Sequence, residues 1–123
     1  MSKHAMTFLG IILSLVPIAV ALVAYFHLFP EIIPNHFDFA GNVTAWSSSS
    51  SAFLLGGILT GANLLCVLCM AFVEPLLAAG LVHGVRNAST ARWVLLGTVV
   101  VVDLVDLFIT GMQYRTCVQL GLI

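Results

Sequence analysis

Charge is the scarcest property of this chain. Four Lys or Arg and five Asp or Glu among 123 residues leave 7% charged against 61% hydrophobic, with a mean hydropathy of +1.15, whereas soluble domains are about 25% charged. So few charges cannot keep such a surface dispersed in water, and the chain reads as a membrane protein. A net charge of −1 provides no basic patch to track phosphates, which excludes nucleic acid as a principal partner. Crossings of about 20 residues each fill the length, so a single transmembrane domain is expected and a separate soluble catalytic domain has no room. Cysteine is also scarce. Cys66 and Cys69 form a C-x-x-C in an apolar run and Cys117 stands apart, without the second Cys or His pair of a zinc site. They read as packing residues, and neither metal nor cofactor is expected.

The apolar runs predict an all-α integral membrane protein of three transmembrane helices. Residues 5–29 contain no charged side chain and are long enough to cross the hydrocarbon core. The run exceeds the apolar region of a secretory signal peptide, and Phe29-Pro30 supplies no small-residue cleavage pattern. Pro17 inside it predicts a bend, tolerated where a neighbour or water takes up the freed carbonyl. The second span is expected at residues 52–73, where Glu74-Pro75 interrupts a run that continues toward 83. The helix must tilt, lie in the interface, or break at Pro75. Trp93 opens the third span, residues 93–117, after an inner loop at 84–92. Lys3, Arg86 and Arg92 fall on one side of this arrangement and Arg115 on the other. The excess predicts a cytoplasmic N-terminus and an external C-terminus.

The third run carries Asp103 and Asp106 near its middle, where an ionised carboxylate costs on the order of 3 kcal/mol. Thr110, Gln113 and Cys117 continue the same helical face, and Val101, Leu104, Val105, Phe108 and Ile109 occupy the other. The polar stripe should therefore point to a neighbouring helix or a wet cavity. Thr60 and Asn63 offer partners on the second span, and Gly57 and Gly61 form a small-xxx-small pattern that permits close helix packing. Three roles follow for the acids: one or both protonated by burial and hydrogen-bonded to Asn63, Thr60 or a partner; a proton or cation pathway; or contact with a basic residue of another subunit.

Residues 30–51 change to Pro, Asn, Asp, Gly and Ser, which are turn and cap formers, and predict an ordered outer loop rich in proline and aromatic residues. Phe37, Phe39 and Trp46 can anchor it at the interface, and Gly41 can supply a positive φ. His36 reads as a cap on loop carbonyls or a ligand. His36 and Asp38 lack the nucleophile that a base and its orienter require, and intramembrane aspartyl proteolysis needs acids on separate helices. No enzyme is expected. Asn42-Val43-Thr44 is a glycosylation sequon, read as chance.

Pro30, Ile33, Pro34, His36, Phe37, Gly41 and Trp46 form a string that resembles the short N-terminal domain of the SdpI-like family of bacterial membrane proteins, over about residues 13–65. Members usually carry an acid two residues before the Trp and a basic residue after it, where this chain has Thr44 and then Ser47, Ser48 and Ser49. The resemblance implies a small polytopic helical protein of the bacterial cytoplasmic membrane, in an immunity or signalling role, with His36, Phe37, Gly41 and Trp46 as loop-structuring or partner-contact residues. The expected function is that of a non-enzymatic membrane protein. It is either an accessory subunit contacting other integral membrane subunits and the lipid bilayer, or an immunity-type protein meeting a peptide at the outer loop. A transport or proton-conducting component using Asp103 and Asp106 is the alternative.

Overall fold

The computed structural model describes residues 2–80 and 87–122. Three helical segments, Lys3–Leu28, Ser51–Ala71 and Ala88–Gln119, are long and apolar enough to cross a membrane, and the chain is a small helical membrane protein. In order, the elements are α1 (Lys3–Ser14), α2 (Val16–Val23), a π-helical turn (Ala24–Leu28), β1 (Ile32–Phe37), β2 (Val43–Ser48), α3 (Ser51–Ala71), α4 (Val73–Ala78) and α5 (Ala88–Gln119).

Pro17 divides the first segment at Leu15, which closes α1 and opens α2, because proline lacks an N–H and its ring displaces the carbonyl four residues back. The backbone group relieved by a neighbour is an amide, not the expected carbonyl: the Ile18 N–H donates to Thr60 Oγ1 on α3 at 3.1 Å. Gly56, one turn along α3, makes that reach possible. A Cβ there would lie 2.8 Å from Ala21 Cβ and 2.9 Å from the Pro17 carbonyl oxygen, so the backbones of α2 and α3 meet. Farther from this crossing, Gly10 of α1 faces Val67 and Met70 of α3. Met6, Val67, Met70, Leu96 and Val99 form the apolar core between α1, α3 and α5.

Gly57 and Gly61 do not make the close approach expected of them: both are exposed, and a Cβ at either would meet nothing within 4 Å. Gly56 shares a helical face with Thr60 and Asn63, and the hydrogen bonds of those two side chains turn that face inward.

Of the three possibilities for the second span, tilt, interfacial placement or a break at Pro75, the helix breaks, but at Phe72. A proline ring excludes the helical carbonyl of residue 71, and α3 accordingly ends at Ala71, with Phe72 leaving helical geometry (φ −111°, ψ 24°). Beyond α4, the linker residues His83, Gly84 and Arg86 lie outside the described residues. Asn87 then caps α5, its Oδ1 accepting the Thr90 N–H at 2.8 Å. The third helix consequently starts at Ala88 rather than at Trp93, and residues 88–92 are helix, not loop.

Residues 32–48 form an antiparallel hairpin with Ile32 opposite Ser48 and Phe37 opposite Val43. Its tip is an Asp38 turn in which Gly41 takes φ +85°, and the Ser49 N–H closes its base on the Glu31 carbonyl at 2.7 Å. Before α3 the serine hydroxyls bond in pairs, Ser47 to Ser51 and Ser48 to Ser50, and Ser50 makes no side-chain cap bond to the helix.

The Gly56 contact yields a direct contrast. Gly56→Leu should destabilise the detergent-solubilised protein by about 1–3 kcal/mol, as overpacking does, while Gly57→Ala and Gly61→Ala leave its thermal unfolding unchanged. Equal losses at all three glycines would contradict the crossing described above.

Candidate functional site

Two features carry the polar residues of this chain, a column inside the bundle and the hairpin at one end of it. The column runs along α5, where Leu96, Val99, Asp103, Asp106, Gln113 and Cys117 are buried at helical steps of three, four and, across Thr110, seven. Val101, Leu104, Val105 and Phe108 are exposed on the other face, and Ile109 is half-buried. Thr110 leaves the column. It is half-buried and lines an apolar lateral groove of about 430 Å³ with Val16, Val20, Leu107 and Tyr114.

Asn63 Nδ2 donates to Asp103 Oδ1 at 2.9 Å, joining α3 to α5 midway along both helices. Asn63 Oδ1, Asp103 Oδ2 and Asp106 Oδ2 are buried without a hydrogen-bond partner, an arrangement that costs free energy wherever water is excluded. Thr60 lies on the same face of α3 as Asn63, yet its hydroxyl serves the Ile18 amide and not the acids.

Gln113 ends the column at the hairpin. Its Nε2 donates to the Pro34 carbonyl at 2.9 Å, beside the fully buried Ile33 and Cys117. The hairpin is thus seated on α5 by one apolar plug and one buried hydrogen bond. Its remaining surface faces outward. Phe39 at the tip is fully exposed, and Ile32 and Trp46 are exposed. The His36 side chain is exposed and makes no hydrogen bond among the described residues, so of its two readings the cap on loop carbonyls is not seen. Phe37 is half-buried and Gly41 shapes the tip.

Asp38 is occupied by its own turn. Oδ1 accepts the Asn42 N–H at 2.8 Å and the Ala40 N–H at 3.0 Å. These donors, the Asn42 amide foremost, hold the carboxyl below its ordinary value of 3.8. His36 and Asp38 therefore do not form a base and orienter pair. At the end opposite the hairpin, Glu74 pairs with Arg92 at 2.7 Å. Such a partly exposed pair contributes little to stability, but it uses one of the few cations. Cys66 and Cys69 are half-buried and Cys117 buried, all as free thiols. Among the described residues no group of His, Cys, Asp or Glu is arranged to hold a metal ion.

Gly56, the Gln113 bond to Pro34 and the Glu74–Arg92 pair were not anticipated. The spacing of Gly56, Thr60 and Asn63 could have signalled the first. The Gln113 contact spans 79 positions and leaves no local trace.

Residues 12–60 match the sequence profile of a domain of unknown function, DUF1648. That stretch contains the Pro17 bend, the hairpin, Gly56 and Thr60, and stops before Asn63 and the acids of α5. No protein of curated function and no solved structure matches the chain.

Gln113→Leu should leave the Pro34 carbonyl buried without a donor, at about 1–3 kcal/mol. Hydrogen exchange of the hairpin amides should rise while the α3 amides stay protected; unchanged exchange would mean that the bond does not seat the hairpin. The Asp38 turn should respond to acid. A carboxyl held low in the folded state stabilises the turn fully above its ordinary value of 3.8 and loses that contribution as pH falls through the folded-state value. Amide chemical shifts of Ala40 and Asn42 should move only in that acid range, and Asp38→Ala should loosen the tip at every pH.

Proposed function

We propose that this chain is a non-enzymatic membrane interaction protein, which docks through its hairpin onto a protein partner at the membrane surface. The observation that carries this reading is the hairpin's combination of rigid seating and apolar exposure. Ile33 and the Gln113 bond hold it to α5, while Phe39, Ile32 and Trp46 are left uncovered. A surface ordered in advance binds with little entropy left to lose, and exposed aromatics are the residue types that anchor interfaces.

An accessory subunit of a larger membrane complex and an SdpI-like immunity or signalling protein both use such a surface. The accessory role is favoured, because Thr44 and the serines after Trp46 remove charges that the SdpI-like pattern carries beside that Trp. In the proposed orientation Lys3, Arg86 and Arg92 lie on the cytoplasmic side of a bacterial membrane, in accord with the positive-inside rule, and the hairpin faces outward. A transport or proton-conducting role has one observation in its favour, the partnerless buried oxygens of Asp103 and Asp106.

The test is the native mass of the endogenously tagged protein in mild detergent, with mass spectrometry of what co-migrates. A stoichiometric assembly is expected. Phe39→Ser combined with Trp46→Ala should weaken it at least about tenfold, the scale of an interface anchor, without altering helicity or thermal unfolding. A mass of one or two copies, or an assembly indifferent to both substitutions, would overturn the docking role.

A further inference from the structure

We propose that Asn63 and Asp103 form a proton-binding pair in the middle of the bundle, with the proton on Asp103 Oδ2 donated to Asn63 Oδ1. The two head groups are already joined on one side, Asn63 Nδ2 donating to Asp103 Oδ1 at 2.9 Å. On the other side each is left with a single oxygen, Asn63 Oδ1 and Asp103 Oδ2, and both are buried without a partner. Asn63 is 0% exposed and Asp103 6%, so solvent satisfies neither. Two buried acceptors with no donor are unfavourable in any water-excluded site. One proton changes that. A carboxylic acid and a primary amide pair through two parallel hydrogen bonds, N–H to carbonyl and O–H to amide oxygen, and the geometry already holds the first of these.

Among the described residues no other group supplies the missing donor. Ser14, fully buried on α1, spends its hydroxyl on the Gly10 carbonyl at 2.6 Å, and the Thr60 hydroxyl, which accepts the Ile18 amide, bonds to neither partnerless oxygen. The charged groups of the surrounding elements are remote. Lys3 and His4 open α1, about 15 Å or more along the axis from Ser14. Glu74 of α4 is paired with Arg92, which lies about three turns from Asp103 on α5, and Arg115 is about as far on the other side. Among the described residues α2 has no titratable side chain, and α3 offers only the thiols of Cys66 and Cys69. The titratable group that shares this level is Asp106, one turn along the same face and 2% exposed. This inference concerns the isolated chain and does not depend on the hairpin having a partner.

The experiment is infrared spectroscopy of the protein in lipid nanodiscs at neutral pH, with 13C-labelled aspartate to identify the carboxyl bands. The wild type should show the stretch of a protonated carboxyl that is lost in Asp103→Asn and retained in Asp106→Asn. Asn63→Leu should shift that band to higher frequency, because the acid loses both hydrogen bonds; this shift decides the matter should Asp103→Asn fail to fold. Absence of a protonated aspartate band in the wild type, its survival in Asp103→Asn, or its indifference to Asn63→Leu would each overturn the proposal.

Discussion

The hydrogen bond from the Ile18 amide to the Thr60 hydroxyl is the constraint on which the bundle's arrangement depends. In water, a backbone N–H released by a proline bend is simply hydrated. In a bilayer it must find a protein acceptor, and one hydroxyl of α3 fills that need. The bond fixes how far α3 is raised along α2, and Gly56 permits the approach by carrying no Cβ where the Pro17 carbonyl already stands. Once that register is set, Asn63 comes about one turn farther along the same face. There it meets the α5 stripe at Asp103.

The buried contents of the bundle are layered as a consequence. Met6, Val67, Met70, Leu96 and Val99 fill one end with apolar side chains. The middle holds Ser14, Asn63, Asp103 and Asp106, and the other end closes with Gln113, Cys117 and Ile33 beneath the hairpin. α3 and α5 thereby turn Asn63, Asp103, Asp106 and Gln113 inward, the placement that hydrocarbon demands of such groups. The hairpin belongs to this column through its Pro34 carbonyl. A two-stranded hairpin is marginal on its own, and α5 supplies the stability that its short ladder lacks.

The three spans and the inward stripe of α5 are legible because composition and a period of 3.6 are strong signals in a membrane chain. The hairpin is not, since Pro34 interrupts its first strand and proline within a short run argues against a strand. A two-stranded sheet tolerates it, each strand being an edge. The glycines illustrate a different difficulty. Gly56 and Gly57 are adjacent and each begins a small-xxx-small pattern, ending in Thr60 and Gly61 respectively. Residue size cannot choose between the two phases; the hydrogen bond that Thr60 must supply does. The start of α5 is obscured for a related reason, because Asn87, Ser89 and Thr90 have loop composition while Asn87 in fact serves as a cap.

Bend, hairpin, Gly56 and Thr60 all fall within residues 12–60, the stretch matching DUF1648, and among themselves they account for how α2 and α3 are held together. The carboxylates lie beyond it on α5. Among the described residues two buried hydrogen bonds connect this unit and its continuation to α5: the Asn63 amide just past its end reaches Asp103, and Gln113 reaches back to Pro34 within it. These joints differ in kind. Gln113 donates to a main-chain carbonyl that has no second chemical state, so it can only hold the hairpin. Asp103 can gain or lose a proton, so its bond to Asn63 is the joint at which the packing of α3 against α5 can depend on conditions.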